Sequence, residues 1–207
     1  MDERFVILDV KDNVSFKTIY EAINWCTGTK YTGWMQASWP KAHPSDGFRI
    51  WFPKLSPRKD GKLVPLSFDC INQISEDWNC VIFDDLKGQH SDLNPAVHYL
   101  GEDLVFAKEI NGDYIFRGVF KLDLEHSAPN HLVTKRIATK AKLIGSPARK
   151  IELLDSVDLV DDDINTPLNL KDIIRTTDGQ IQYVCGRCGY VFAKALRCPE
   201  CGQLVKE

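Results

Sequence analysis

The chain has 207 residues, 43% of them hydrophobic and 27% charged, an ordinary globular balance that excludes wholesale disorder. Its 26 basic and 29 acidic side chains leave a net charge of −3, which excludes a uniformly basic nucleic-acid coat but allows a local basic face. No window approaches the roughly 20 apolar residues of a membrane-spanning helix, and the acidic start at Asp2-Glu3 lacks the positive charge of a secretory leader, so a soluble, cytoplasmic protein is expected.

Taken in chain order, residues 3–9 predict a short strand. Ser15 is placed to cap a helix through Phe16, Ile19, Tyr20 and Ile23 that ends near Thr27-Gly28. From Tyr31 the chain is aromatic and broken by Gly33, Pro40, Pro44 and Gly47, until residues 48–52 alternate as a strand. Residues 53–62, with Pro53, Pro57 and Asp60-Gly61, predict a loop or hairpin turn. Short apolar runs follow at 63–68, 80–83 and 104–108. The strongest strand pattern covers 113–122. Asn111-Gly112 before it predicts a type I′ turn, so that 103–110 and 113–122 pair antiparallel. Gly118 inside that strand predicts a bulge or a close backbone approach. Residues 140–144 and 150–154 predict two more strands, split by Gly145-Ser146-Pro147. Many short strands with one or two helices predict an α+β fold built on a small mixed β-barrel.

A charge shift marks a boundary. Residues 135–150 hold six basic side chains (Lys135, Arg136, Lys140, Lys142, Arg149, Lys150) and no acid, whereas 152–163 hold six acids and no base. The expected organisation is a body at 1–155, an acidic linker at 156–181 and a separate tail at 182–207. Asp161-Asp162-Asp163 lacks the alternating ligands and closing Glu of a calcium loop.

Seven cysteines are present. Cys26, Cys70 and Cys80 read as buried small hydrophobes. The other four form two Cys-x-x-Cys pairs, Cys185/Cys188 and Cys198/Cys201, each followed by glycine. Two residues between cysteines let both sulfurs of a tight turn point at one ion, and the following glycine permits positive φ. Four thiolates complete a tetrahedral shell with no open position, as in a structural Zn(2+) site. The tail resembles zinc-ribbon proteins, a class that includes nucleic-acid-binding members and others that only hold a partner.

All five tryptophans fall between residues 25 and 78. Trp34, Trp39 and Trp51 are candidates to stack on a planar base; the alternative places them in the core. Lys54, Arg58, Lys59 and Lys62, beside Trp51, and Lys135, Arg136, Lys140 and Lys142 are candidates for phosphate contacts. The helix, the aromatic loop and the late strand Tyr-Ile-Phe-Arg-Gly-Val-Phe-Lys-Leu together resemble the PUA-like superfamily, which includes ASCH, EVE, YTH and SRA modules. That resemblance implies a compact β-barrel over about residues 1–155 and recognition of modified or flipped bases.

No nucleophile elbow, phosphate loop or dinucleotide fingerprint is present. His126 and His131 have no recognisable ligand spacing. The segment from Asp103 to Lys108-Glu109 holds the ingredients of a restriction-type nuclease core without their order. The reading is a module that binds nucleic acid, DNA or RNA, with a structural zinc ribbon. A nuclease is one alternative. An adaptor that docks a protein through its ribbon is the other.

Overall fold

A computed structural model describes residues 4–157 apart from 42–46, 61, 67–68, 76, 89–93, 97 and 110. It also describes the backbone of 170–175, 181–185 and 191–193. The chain divides into two compact units, Met1–Asp158 and Leu159–Glu207.

The first unit is mostly β. Its strands are β1 (Phe5–Asp9), β2 (Ser15–Phe16), β3 (Ser38–Trp39), β4 (Phe48–Trp51), β5 (Arg58–Lys59), β6 (Lys62–Leu63), β7 (Cys70–Ile74), β8 (Cys80–Asp85), β9 (Glu102–Ala107), β10 (Tyr114–Leu122), β11 (His131–Ala138), β12 (Lys140–Gly145) and β13 (Ala148–Leu153). One α-helix among the described residues, α1 (Ile19–Thr27), lies between β2 and β3.

The helix starts later than the sequence suggests. Thr18, not Ser15, is the cap: its hydroxyl accepts from Glu21 N while Glu21 Oε2 accepts from Thr18 N, a reciprocal capping box. Ser15 and Phe16 instead pair with Ile115 and Tyr114 of β10. The helix ends at Gly28 in the left-handed conformation, as expected.

The large sheet runs β3-β4-β9-β10-β11-β8-β7, with β2 added to β10, and a smaller sheet runs β1-β12-β13. The expected barrel is not closed by hydrogen bonds, because β3 and β7 end the large sheet without pairing to each other. β3 is two residues long and runs into Pro40, which has no N–H to extend a ladder. The free edge of β7 is taken by an irregular segment: Ser56 N donates to Asn72 O at 2.7 Å, and Asn72 N and Nδ2 donate to Ser56 Oγ and Lys54 O at 3.0 Å.

The two larger apolar clusters among the described residues flank the large sheet. Leu104, Phe106, Phe116 and Val119 pack with Ala22, Ile23 and Cys26 of α1 and with Leu8, Ala141 and Leu143 of the small sheet. Val105, Ala107 and Phe120 pack with Leu55 and Val81. Successive residues of β9 thus face opposite clusters, as the two-residue period of a strand requires. Each fully buried Phe or Leu here contributes about 1.5–3 kcal/mol.

β9 and β10 pair antiparallel as expected, but not through a two-residue type I′ turn. Ile115 faces Ala107, so the connection is longer, and Gly112 is not among the positive-φ glycines. Gly112 N closes a turn on Glu109 O at 3.1 Å.

In the second unit the strands β14 (Leu170–Arg175), β15 (Ile181–Cys185) and β16 (Val191–Ala193) form one antiparallel sheet in that order. β14 falls within the stretch read as linker. Cys185 closes β15, while Cys188, Cys198 and Cys201 lie outside the described residues, as do Asp161-Asp162-Asp163.

Candidate nucleic-acid interface

One cavity of about 710 Å³ opens where α1, the aromatic loop and the ends of β4 and β9 meet, lined by Tyr20, Trp34, Tyr114 and Leu55 among others. Among the described residues, three lysines, Lys17, Lys54 and Lys108, line it with a single acid, Glu109.

The lysines come from distant points in the chain. β4 and β9 pair in parallel, and the ladder continues as a parallel bridge between Lys54 and Lys108. Lys108 N donates to Pro53 O at 2.9 Å and Leu55 N to Lys108 O at 2.7 Å. Asn72 Nδ2 fixes Lys54 O from the β7 edge. Backbone bonds therefore set both lysines side by side, while Lys17 arrives just before the Thr18 cap.

The aromatic lining has a floor and a wall. Tyr114 is buried, edge-on to Phe52 at 5.6 Å, with Lys108 Nζ 4.9 Å from its ring centre. Burial pushes its phenol above the usual range, so it remains a neutral hydroxyl at physiological pH. Trp34 is half-buried; its Nε1 donates to Ser38 O at 3.0 Å, and its ring meets Tyr31 at 5.2 Å. Met35 beside it is fully exposed.

Of the residues singled out from sequence, Trp34 and Lys54 line this cavity, together with Lys108 and Glu109 of the segment weighed as a nuclease core. Trp39 is buried against Phe48 at 6.5 Å, and Trp51 packs on the Val105 cluster. Arg58 and Lys59 stand exposed on the β5–β6 hairpin. The later basic residues carry partners: Lys135 Nζ lies 3.1 Å from Asp123 Oδ2, Lys140 Nζ 3.4 Å from Asp9 and Lys142 Nζ 3.6 Å from Glu152. Arg136 donates to Asn79 Oδ1 at 2.6 Å. That Lys17, Tyr20, Lys108 and Tyr114 share one cavity is not announced in the sequence, because nothing local groups them.

The segment weighed as a nuclease core is built differently. Asp103 is buried and takes a bidentate pair from Arg49, at 2.6 and 2.7 Å, while Lys108 and Glu109 line the cavity. His126 bonds Asp123 and His131 bonds Asp84. Among the described residues, no three His, Cys, Asp or Glu side chains converge as metal ligands.

The SRA domain, described as the SET and RING associated domain, matches residues 5–143. The chain belongs to the SRA family. Its first unit is thus a nucleic-acid-binding body of the PUA-like class, and DNA is the partner of SRA domains. No curated protein matches the chain. Among solved structures it is similar to the 5-hydroxymethylcytosine-specific restriction enzyme AbaSI, with 23% identity and a TM-score of 0.51. The likeness covers 68% of this chain and 43% of that one, and it concerns the fold alone. The SRA match ends before β13 (Ala148–Leu153) and before the cysteine pairs.

Proposed function

We propose that the SRA body reads a modified cytosine in DNA by taking the base out of the duplex into the cavity at Trp34. The observation that carries this reading is the joint lining by three aromatics and three lysines. An extruded base presents flat faces, which Trp34 and Tyr20 can cover, and flanking phosphates, which Lys17, Lys54 and Lys108 can neutralise. Glu109, the acid of the lining, suits the exocyclic amine of cytosine, which carboxylates accept from. The volume is within the ordinary range of about 300–1,000 Å³ for ligand pockets. A 5-substituent such as hydroxymethyl, the mark named for AbaSI, is the modification to test first. Lys59 and Arg58 extend the basic surface; Lys135, Arg136, Lys140 and Lys142 are secondary candidates.

We also propose one Zn(2+) held by Cys185, Cys188, Cys198 and Cys201. Pairing of β15 (Ile181–Cys185) with β16 (Val191–Ala193) supports this, because the first cysteine pair then falls at and just after the end of β15. Four thiolates would give the tail a closed structural site.

The test is a titration of the full chain with duplexes that carry one cytosine, 5-methylcytosine or 5-hydroxymethylcytosine, at several salt concentrations. Wild type is expected to prefer a modified duplex. Trp34→Ala should cost about 1–3 kcal/mol of binding with the salt slope unchanged, whereas Lys54→Gln or Lys108→Gln should lower the slope by about one each. A 2-aminopurine placed beside the target cytosine should brighten on binding to wild type. Equal affinity for all three duplexes without brightening would refute base extrusion.

A further inference from the structure

Three unusual features meet outside the cavity lining. The first is a bulge in β10: Phe116 pairs with Phe106 and Gly118 with Val105, leaving Arg117 without a partner on β9. Gly118 has φ +120°, and a Cβ there would lie 2.7 Å from Ala138 O, so the bulge requires glycine. Such bulges re-aim a side chain.

The second is Trp78, in the turn between β7 and β8, at φ +63°. That conformation is uncommon for a bulky residue and persists only where surroundings over-determine it. Here they do. Asp77 accepts from Ser75 Oγ and from Asn79 N and Nδ2, Cys80 N donates to Ser75 Oγ, and Arg136 Nη2 donates to Asn79 Oδ1.

The third is the arginine itself. The Arg117 guanidinium carbon lies 3.4 Å from the centre of the Trp78 ring. Its Nε is buried with no hydrogen-bond partner, and it forms no ion pair among the described residues. Burial holds it below the usual arginine range, and the charge of Glu109 opposes that only in part. Arg117 lies on β10, the strand whose first residue, Tyr114, lines the cavity. Arg136 and Asp77 hold the turn through hydrogen bonds of their own. A guanidinium held over an indole still carries its terminal N–H donors at the edge of its plane, the arrangement that grips phosphate oxygens in pairs.

We infer that Arg117, held over the Trp78 ring, binds a phosphodiester of the same DNA whose base enters the cavity. This rests on the base-reading function proposed above. The two are separable with the full chain in a salt series on modified and unmodified duplexes. Arg117→Gln should lower the salt slope by about one and leave the ratio of affinities for the two duplexes unchanged. Single neutral methylphosphonates should locate the contact: one position that weakens wild type should have no effect on Arg117→Gln. An unchanged slope and an unchanged methylphosphonate profile, in a wild type that still prefers the modified duplex, would overturn the contact alone. A wild type that binds no duplex would overturn the base reading and this contact with it. If Arg117→Gln fails to fold, the methylphosphonate scan is read against the Lys17, Lys54 and Lys108 variants. A scan with no position beyond those three would refute the inference.

Discussion

Replacing Gly118 by alanine tests the bulge that aims Arg117. The new Cβ would meet Arg136 Cδ at 2.6 Å and Ala138 O at 2.7 Å. The arginine is tied to Asn79 and can move only by giving up that bond. The carbonyl belongs to β11, whose Ala138 is registered on Val119, so it can move only by disturbing the ladder. A non-glycine residue at this φ costs about 1–3 kcal/mol, and forcing an extra carbon into a packed site costs about 1–3 kcal/mol more. Against a typical total stability of about 5–15 kcal/mol, the loss should be plain in urea denaturation. Tryptophan fluorescence suits the measurement, because all five tryptophans lie between residues 25 and 78 and report only the first unit. Gly112→Ala is the matched control: its Cβ would meet nothing closer than 3.7 Å, and its φ is not positive, so a change within about 0.5 kcal/mol is expected. Equal costs at the two positions, or a Gly118→Ala protein as stable as wild type, would refute the reasoning.

Asp103→Asn should destabilise the first unit by about 3–5 kcal/mol, because it strands the buried Arg49 charge. Replacing both partners with apolar residues should recover much of that loss, and urea denaturation compares the two. Protein purified without chelator should contain one zinc per chain by elemental analysis; a chelator should unfold the tail, seen as loss of amide-exchange protection in 181–193, while the tryptophan-reported transition stays in place.

The sequence showed the body's elements where apolar residues alternate between glycine and proline, as at residues 48–52, 104–108 and 140–154. It also showed the bulge at Gly118, since a glycine within a strong strand pattern has few other uses. The helix start was misplaced because Phe16 fits the helical apolar spacing, yet its backbone pairs with Tyr114. The Thr18-Glu21 box was present in the letters and was the better signal. The strand from His131 to Ala138 was hidden because Lys135 and Arg136 read as a free basic surface, whereas both are tied to acceptors on the first unit. The aromatic loop could not be divided by pattern. Trp34 and Trp39 are alike in local context, and only the pairing of Trp39 with Ile50 sends one ring inward. The grouping of the cavity lysines was illegible for a deeper reason: Lys54, a phosphate candidate by sequence, and Lys108 become neighbours through a parallel pairing that no local pattern announces.

That parallel pairing also bears on how the body folds. β4 must find β9 across a separation of 54 residues, the spacing of Arg49 and Asp103, whereas β9, β10 and β11 follow one another as neighbours. Closing a long loop costs entropy that its contacts repay only afterwards, so local hairpins form readily and distant parallel ladders late. The Lys54–Lys108 bridge lies at the end of that ladder. A nascent or partly melted chain would therefore display its β9–β10–β11 meander without a phosphate-binding mouth. Capture of a modified duplex is then a readout of complete folding: it should vanish on heating before most of the β signal does.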